Sequence, residues 1–445
     1  MTMSSTFPDH GSTPGTTAED IGRLHARAKV APGEIAIGVI IGRTSEQFDF
    51  FVFGISCVLV FPAVLFPFAS ALDGILYAFT VFSLAFIARP FGTALFMGFQ
   101  RRWSRGTKLT IALFLLGSAT AGIAFLPSYR QIGNWAIGLL ILFRLLQGIA
   151  QGGSWDGLPS LLALNTPPER RGWYAMLGQL SAPIGFIVAS ALFLFLHSSL
   201  DEKDFIDWGW RYPFFVAFAI NVVALFARLR LVVTEEYTVA MEERELEPIG
   251  ITEILRTQGY NIFIGAFAAL ASYALFHLVT IFPLSWIVLK STQAVDSVLL
   301  IQIFGGVAGI FGIVMSGYVA DHIGRRTTLG VAAGLIGLFA LAAPWMLDGG
   351  KELQDAFIIV GFLLLGFSYG QAAGSVTSNF EVRLRYAGAA LTTDFAWLIG
   401  AAFAPLVALG LSMRFGLGAV SAYLLSGVVC TLLALRVNRA LATRE

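Results

Sequence analysis

Glu46 and Asp49 lie three residues apart in GRTSEQFDFFVFG, inside an otherwise apolar stretch. With Phe53 they recur at i, i+3 and i+7, which places both carboxylates on one face of a helix. Acids about 5–6 Å apart repel one another when both are ionised. Such a pair favours exchange of a proton, the chemistry a proton-coupled carrier needs; the alternative is a salt bridge from either acid to Arg144 or Arg89. A second polar set occupies RLLQGIAQGGSWDG, residues 144–157. On a helix of 100° per residue, Gln147, Gln151, Ser154 and Trp155 fall within about 80° of Arg144, while Asp156 falls about 120° away unless Gly152–Gly153 bends the helix. A guanidinium facing a low-dielectric cavity selects anions and binds carboxylates bidentately. Tyr273, His277 and Thr280 share a face at i, i+4 and i+7, and Tyr369, Gln371, Ser375 and Asn379 can line a polar cavity; the alternative for His277 is a hydrogen-bonded packing residue. Asp394 stands alone in LTTDFAWLIG. Arg385 is too far along the same helix to reach it, so any partner comes from another helix.

The elements that position these side chains must be membrane helices. The 445 residues are 56% hydrophobic and 13% charged, about half the charge usual in soluble domains. A charge kept in such runs costs at least a few kcal/mol and faces a bundle interior or a wet cavity. Runs of roughly 20 apolar residues give spans near 35–60, 72–98, 108–127, 134–160, 173–198 and 211–231. A second set lies near 258–289, 296–320, 327–347, 356–380, 387–411 and 417–437. The reading is therefore an all-α polytopic protein. It has a polar tail (1–34), a six-helix bundle (35–231), a charged loop (232–257), a second six-helix bundle (258–438) and a short tail (439–445).

With the N-terminus inside, about 20 of the 29 Lys and Arg fall in cytoplasmic segments and about six outside, which places both termini in the cytoplasm. The N-terminal stretch lacks the basic and apolar regions of a signal peptide. GFQRRWSRGTKL after the second span echoes GYVADHIGRRTTL after the eighth at an offset of 220 residues, with Arg101 opposite Asp321 and Arg105 opposite Arg325, so the halves read as repeats. Cys57 and Cys430 form no framework. The His and acids do not cluster at metal-ligand spacing, and no Walker loop, GxSxG or HExxH occurs. The expectation is no enzyme, no cofactor, no metal and no nucleic-acid partner. Net charge, +1, points to no acidic or basic partner.

Seven segments together resemble the metabolite:proton symporter branch of the major facilitator superfamily, which includes shikimate, 2-oxoglutarate, citrate and proline/betaine carriers. They are the E-x-x-D-F pattern at Glu46–Phe50, ARPFG at 88–92, RLLQGIAQGG at 144–153, PPERRG at 167–172, WGWRYPF at 208–214, DHIGRR at 321–326 and FEVRLRYAG at 380–388. The resemblance implies twelve helices in two pseudo-symmetric bundles that rock about a central cavity lined by spans 1, 4, 7 and 10. A proton gradient would drive import of a small organic acid or zwitterion across a bacterial inner membrane, with the carrier working as a monomer in the bilayer. A proton-driven exporter on the same fold is the rival, and a non-transporting sensor a remoter one.

The implied proton sites are Asp49 and Glu46, with Asp156 or Asp394 in place of an acid that the branch carries where Ser154 stands here. The substrate set is Arg144, Gln147, Gln151, Trp155, Tyr273, His277, Tyr369 and Gln371. The cytoplasmic gate would comprise Arg102, Arg105, Gly317, Asp321, Gly324, Arg325 and Arg326. The first gate turn departs from the branch, with Arg101 where an Asp is expected.

Overall fold

The structure, a computed structural model, describes residues 32–100, 102–103, 105–155, 167–232, 250–378, 380 and 382–438. Asp156, Asn379, Arg101, the Arg105 side chain, most of both tails and most of the 232–257 loop lie outside the described residues. Among the described residues there is no strand, and eleven helices are long and apolar enough to cross a membrane. The first helix is long enough, but Arg43, Glu46 and Asp49 interrupt its apolar character.

The spans are α1 (Pro32–Leu59), α2 (Ala71–Gln100), α3 (Arg105–Ala124), α4 (Asn134–Gly153), α5 (Arg171–Ser199) and α6 (Tyr212–Val232). A second set follows. α7 runs through Ile251–Ala268 and Leu270–Lys290, and then come α8 (Val295–Ile323), α9 (Arg325–Asp348), α10 (Lys351–Ser375), α11 (Leu384–Phe415) and α12 (Gly418–Val437). α7 begins inside the segment expected to be loop, and it is interrupted at Ala269 and Ile281 rather than continuous. Pro283 explains the second break: it lacks an N–H and sits in the first turn of Phe282–Lys290, where none is needed. α11 likewise contains a π turn at Trp397–Ala401, three residues after Asp394.

Helix pairs repeat between halves. α2 packs on α4 as α8 packs on α10, and α3 on α6 as α9 on α12. In membranes such contacts depend on small residues that let backbones approach. A Cβ on Gly92, Gly148 or Gly152 would strike backbone of the facing helix in the α2–α4 pair, and one on Gly312 or Gly366 would do so in the α8–α10 pair. Two seams join the halves, α5 against α8 and α2 against α11. They are images of one another under the 220-residue offset. The α8–α9 turn needs a left-handed residue and has Gly324 at φ 81°.

Candidate functional site

The α4 glycines face α2, and this turns the intervening polar residues toward α1 and α3. Asp49 is fully buried there. Thr120 donates to its Oδ1 at 2.8 Å, and Gln147 Nε2 donates to Oδ2 at 3.2 Å. The Gln147 carbonyl in turn accepts from Arg144 Nη1 at 3.0 Å. Gln147 thus bridges a buried cation and a buried acid that do not touch.

Arg144, expected as an anion anchor, is buried and bonded within the protein. It is 0% exposed. Its Nε and Nη2 both donate to the Phe82 carbonyl at 3.2 Å, and its guanidinium lies 4.0 Å from the Phe53 ring centroid. Burial of a cation without such donors filled would be prohibitive.

Glu46 and Asp49 also separate into different networks. Glu46 accepts from Arg228 of α6 at 2.5 Å and from Ser154 at 2.8 Å, and Arg228 additionally donates to the Ser154 carbonyl. The acids share a helix face, but the salt bridge falls to Arg228 rather than to Arg144 or Arg89. Arg228 is 3% exposed, although by position it reads as one of the basic residues flanking a span.

The charged face that carries Arg170, Arg171, Arg325 and Arg326 is closed across both seams. At α5–α8, Asp321 Oδ1 accepts from the Gly172 N–H at 2.6 Å, and its Oδ2 accepts from the Trp173 N–H at 3.2 Å. Arg325 donates to the Arg171 and Gly374 carbonyls, and Gln371 donates to the Gly172 carbonyl. A Cβ on Gly317 would strike Met176, so the glycine admits the start of α5.

At α2–α11 the contacts are side chain to side chain. Arg89 pairs with Asp394 at 2.7 Å and Thr93 donates to the same carboxylate at 2.5 Å. Lys108, buried, donates to Tyr386 Oη at 3.1 Å and to the Trp155 carbonyl at 2.6 Å. Arg102 is exposed. On the opposite face, His197 of α5 meets Asp296 of α8 at 2.6 Å.

Between these closures runs an aromatic layer from both halves. His277 stacks on Phe50 with centroids 5.2 Å apart and is flanked by Phe82, Phe86, Phe276 and Trp397. Its Nδ1 meets Thr280, while Nε2 is buried with no hydrogen-bond partner. Tyr273 and Tyr369 meet edge to face at 5.9 Å. A cavity of about 20 Å³, enough for roughly one water, lies beside Phe51, Pro183, Phe276, Thr280 and Tyr369.

Of the expected substrate residues, Tyr273, His277 and Tyr369 come together in this layer. Gln147 and Arg144 belong to the Asp49 network. Gln151 is buried on α4, Trp155 supplies its carbonyl to Lys108, and Gln371 joins the seam. Sequence reasoning missed Thr120, Lys108 and Arg228 as interior groups.

The chain matches the Major Facilitator Superfamily over residues 49–405. It is 33% identical over 409 residues to the inner membrane metabolite transport protein YhjE of Escherichia coli, covering 90% of this chain and 93% of that one. The shikimate transporter of Escherichia coli is 30% identical over 431 residues, covering 94% and 96%. A citrate-proton symporter of Klebsiella pneumoniae is 28% identical over 420 residues, covering 92% and 93%. The crystal structure of D-xylose-proton symporter superimposes with a TM-score of 0.69 over 90% of this chain and 96% of that chain, at 18% identity, a likeness of fold.

Proposed function

The chain belongs to the Major Facilitator Superfamily and is a multi-pass metabolite transporter rather than an enzyme; from that premise we propose that it imports a small organic acid or zwitterion together with protons. The basic face is assigned to the cytoplasm of a bacterium, by the excess of Lys and Arg there. Relatives that bear the names shikimate transporter and citrate-proton symporter support the substrate and coupling classes.

The carrying observation is the contrast among three interior acids of the described residues. Glu46 and Asp394 each hold an arginine, whereas Asp49 is held by the neutral donors Thr120 and Gln147. An acid fixed by an arginine must break an ion pair to change charge. Asp49 needs only to rearrange two neutral hydrogen bonds, which suits it to load and release a proton.

A path from that proton to the moving parts follows the bonds. Ionised Asp49 engages both the Thr120 hydroxyl and the Gln147 amide. Protonated, it releases part of that demand, and Gln147 is free to shift its hold on Arg144. Arg144 braces Phe82 and Phe50, and Phe50 stacks on His277 of the other half. Charge on Asp49 thereby biases the contact between the halves, a two-state element in the sense that coupling requires.

Uptake into energised membrane vesicles tests the reading. Radiolabelled mono-, di- and tricarboxylates and betaines are offered with an inward proton gradient. Accumulation that collapses with the gradient supports proton-coupled import; accumulation indifferent to it, or gradient-driven loss from loaded vesicles, sinks it.

A further inference from the structure

Arg211, immediately before α6, is half-buried, and among the described residues no carboxylate lies within ion-pair distance of it. Its Nη1 donates to the Ala124 and Leu126 carbonyls at 2.7 and 2.8 Å, and its guanidinium lies 4.6 Å from the Trp210 ring centroid. Ala124 ends α3, so these bonds fill carbonyls that a helix C-terminus leaves open and set the cation at the favourable end of its dipole. They also fix the guanidinium in place. Two of its five N–H groups are filled. Nε and Nη2, the edge that takes an oxyanion as a fork, donate to nothing among the described residues.

The same arginine lines an open cavity of about 410 Å³ together with Ala124, Phe125, Pro127, Gln131 and Phe215. Gln131 offers this cavity a second donor. Its Oε1 accepts from the Ser128 N–H at 2.9 Å in the capping box of the short helix Tyr129–Ile132, which leaves Nε2 without an acceptor among the described residues. Phe125 and Phe215 meet edge to face at 5.0 Å and form the apolar wall. One cavity therefore presents a fixed positive charge and an amide donor over aromatic carbon, with no acid among its lining residues.

The cavity lies where lipid headgroups sit. α3 ends and α6 begins here, on the face opposite the basic one. Trp135, Trp208 and Tyr212 are exposed at these helix ends, as aromatic residues are at a membrane interface. From the cavity an apolar stripe runs along α6, with Phe215, Phe218, Val222 and Phe226 at i, i+3, i+7 and i+11. The last three are exposed on the outside of the bundle, where a span meets acyl chains. A soluble anion would use the charge and leave the stripe bare. A neutral lipid would use the stripe and leave the guanidinium fork empty. A phospholipid uses both.

We propose that Arg211 and Gln131 bind the phosphate of a membrane phospholipid, whose chain lies along the stripe from Phe215 to Phe226 and which ties the α3–α4 turn to the start of α6. This rests on the chain spanning a membrane, and neither on its substrate nor on proton coupling.

The test titrates delipidated full-length protein in detergent with dioleoyl phosphatidylglycerol. The first bound lipid is followed by native mass spectrometry and by the melting temperature. Dioleoylglycerol, which lacks the phosphate, and inorganic phosphate, which lacks the chains, separate the two parts of the ligand. The wild type should bind the phospholipid about tenfold or more tighter than dioleoylglycerol, the scale of one charge-assisted hydrogen bond. It should melt higher with the phospholipid and not respond to inorganic phosphate. Gln131→Glu is the decisive variant. Glutamate keeps the capping box and leaves the carbonyl bonds of Arg211 in place, but it adds a carboxylate that competes for Arg211 and repels phosphate. Phospholipid binding should weaken about tenfold or more, with the lipid-free melting temperature unchanged. Arg211→Gln should weaken it at least as much and also melt lower without lipid, because the Ala124 and Leu126 carbonyls lose their donor. Absence of phospholipid binding by the wild type, wild-type affinity in Gln131→Glu, equal binding of dioleoylglycerol, or equal stabilisation by inorganic phosphate overturns the proposal.

Discussion

The two seams between the halves occupy symmetry-related places, yet they are held by different chemistry. At α5–α8 the basic face is closed by one acid, Asp321, receiving backbone N–H groups of Gly172 and Trp173, with Arg325 and Gln371 donating to backbone carbonyls. Deeper along that seam, glycines meet apolar side chains: a Cβ on Gly306 would strike Ile187. At α2–α11 the position opposite Asp321 is Arg101, and the closure passes to an interior ion pair, Arg89–Asp394, and to a buried lysine on Tyr386. The first seam is a backbone clasp over small residues. The second is a charged lock within the membrane. The charged side-chain contacts between the halves inside the membrane thus lie on one side of the pseudo-symmetry, among the described residues.

Mutations that break the comparison should differ in size. The largest effect belongs to Arg89→Ala, which strands the Asp394 carboxylate; removing one partner of a buried pair costs about 3–5 kcal/mol. The melting temperature should fall markedly, and thiols placed across α2–α11 should become reactive from the basic face. The double change Arg89→Leu, Asp394→Leu should recover most of the stability, and failure to recover would show that the pair does more than balance charge.

Asp321→Asn comes next. It weakens charge-assisted bonds worth about 1.5–3 kcal/mol, so spin labels across α5–α8 should report a shifted but smaller opening of the basic face. An effect as large as that of Arg89→Ala would erase the distinction between clasp and lock. The smallest effect is expected from Asp296→Asn on the opposite face. Its partner His197 and Asp296 are both more than a third exposed, and exposed pairs contribute about 0–1 kcal/mol. Melting should hardly move.

What was legible in the sequence follows from what each signal measures. Apolar run length marked the spans because it reports the thickness of the bilayer, and the repeated turns exposed the two halves. The α1 and α4 polar residues were visible because charge inside an apolar run is conspicuous. Their partners were not. Arg228 sits one turn from a span end, where a basic residue ordinarily marks an exposed flank, and only the approach of α6 to α1 brings it onto Glu46. Lys108 hides for the same reason. Asp394 needed a partner from another helix, but that it is Arg89, 305 residues away, follows only from the seam. The hydrogen bonds of Arg144 to the Phe82 carbonyl were not legible either, because an interior cation looks the same in sequence whatever its acceptor. The interruptions of α7 were partly announced by Pro283; nothing in the sequence singled out Ala269.

The contrast between acids locked by arginine and one held by neutral donors is tested most directly in Asp49→Asn. The best-accumulated acid from the wild-type uptake panel is followed in two modes in the same vesicles, gradient-driven accumulation and substrate-for-substrate exchange at equal pH. If Asp49 carries the coupled proton, Asp49→Asn abolishes accumulation, by at least tenfold, and retains exchange, because binding and rocking do not require the proton to be released. Accumulation that persists in Asp49→Asn would contradict the account and transfer the proton to Glu46 or Asp394.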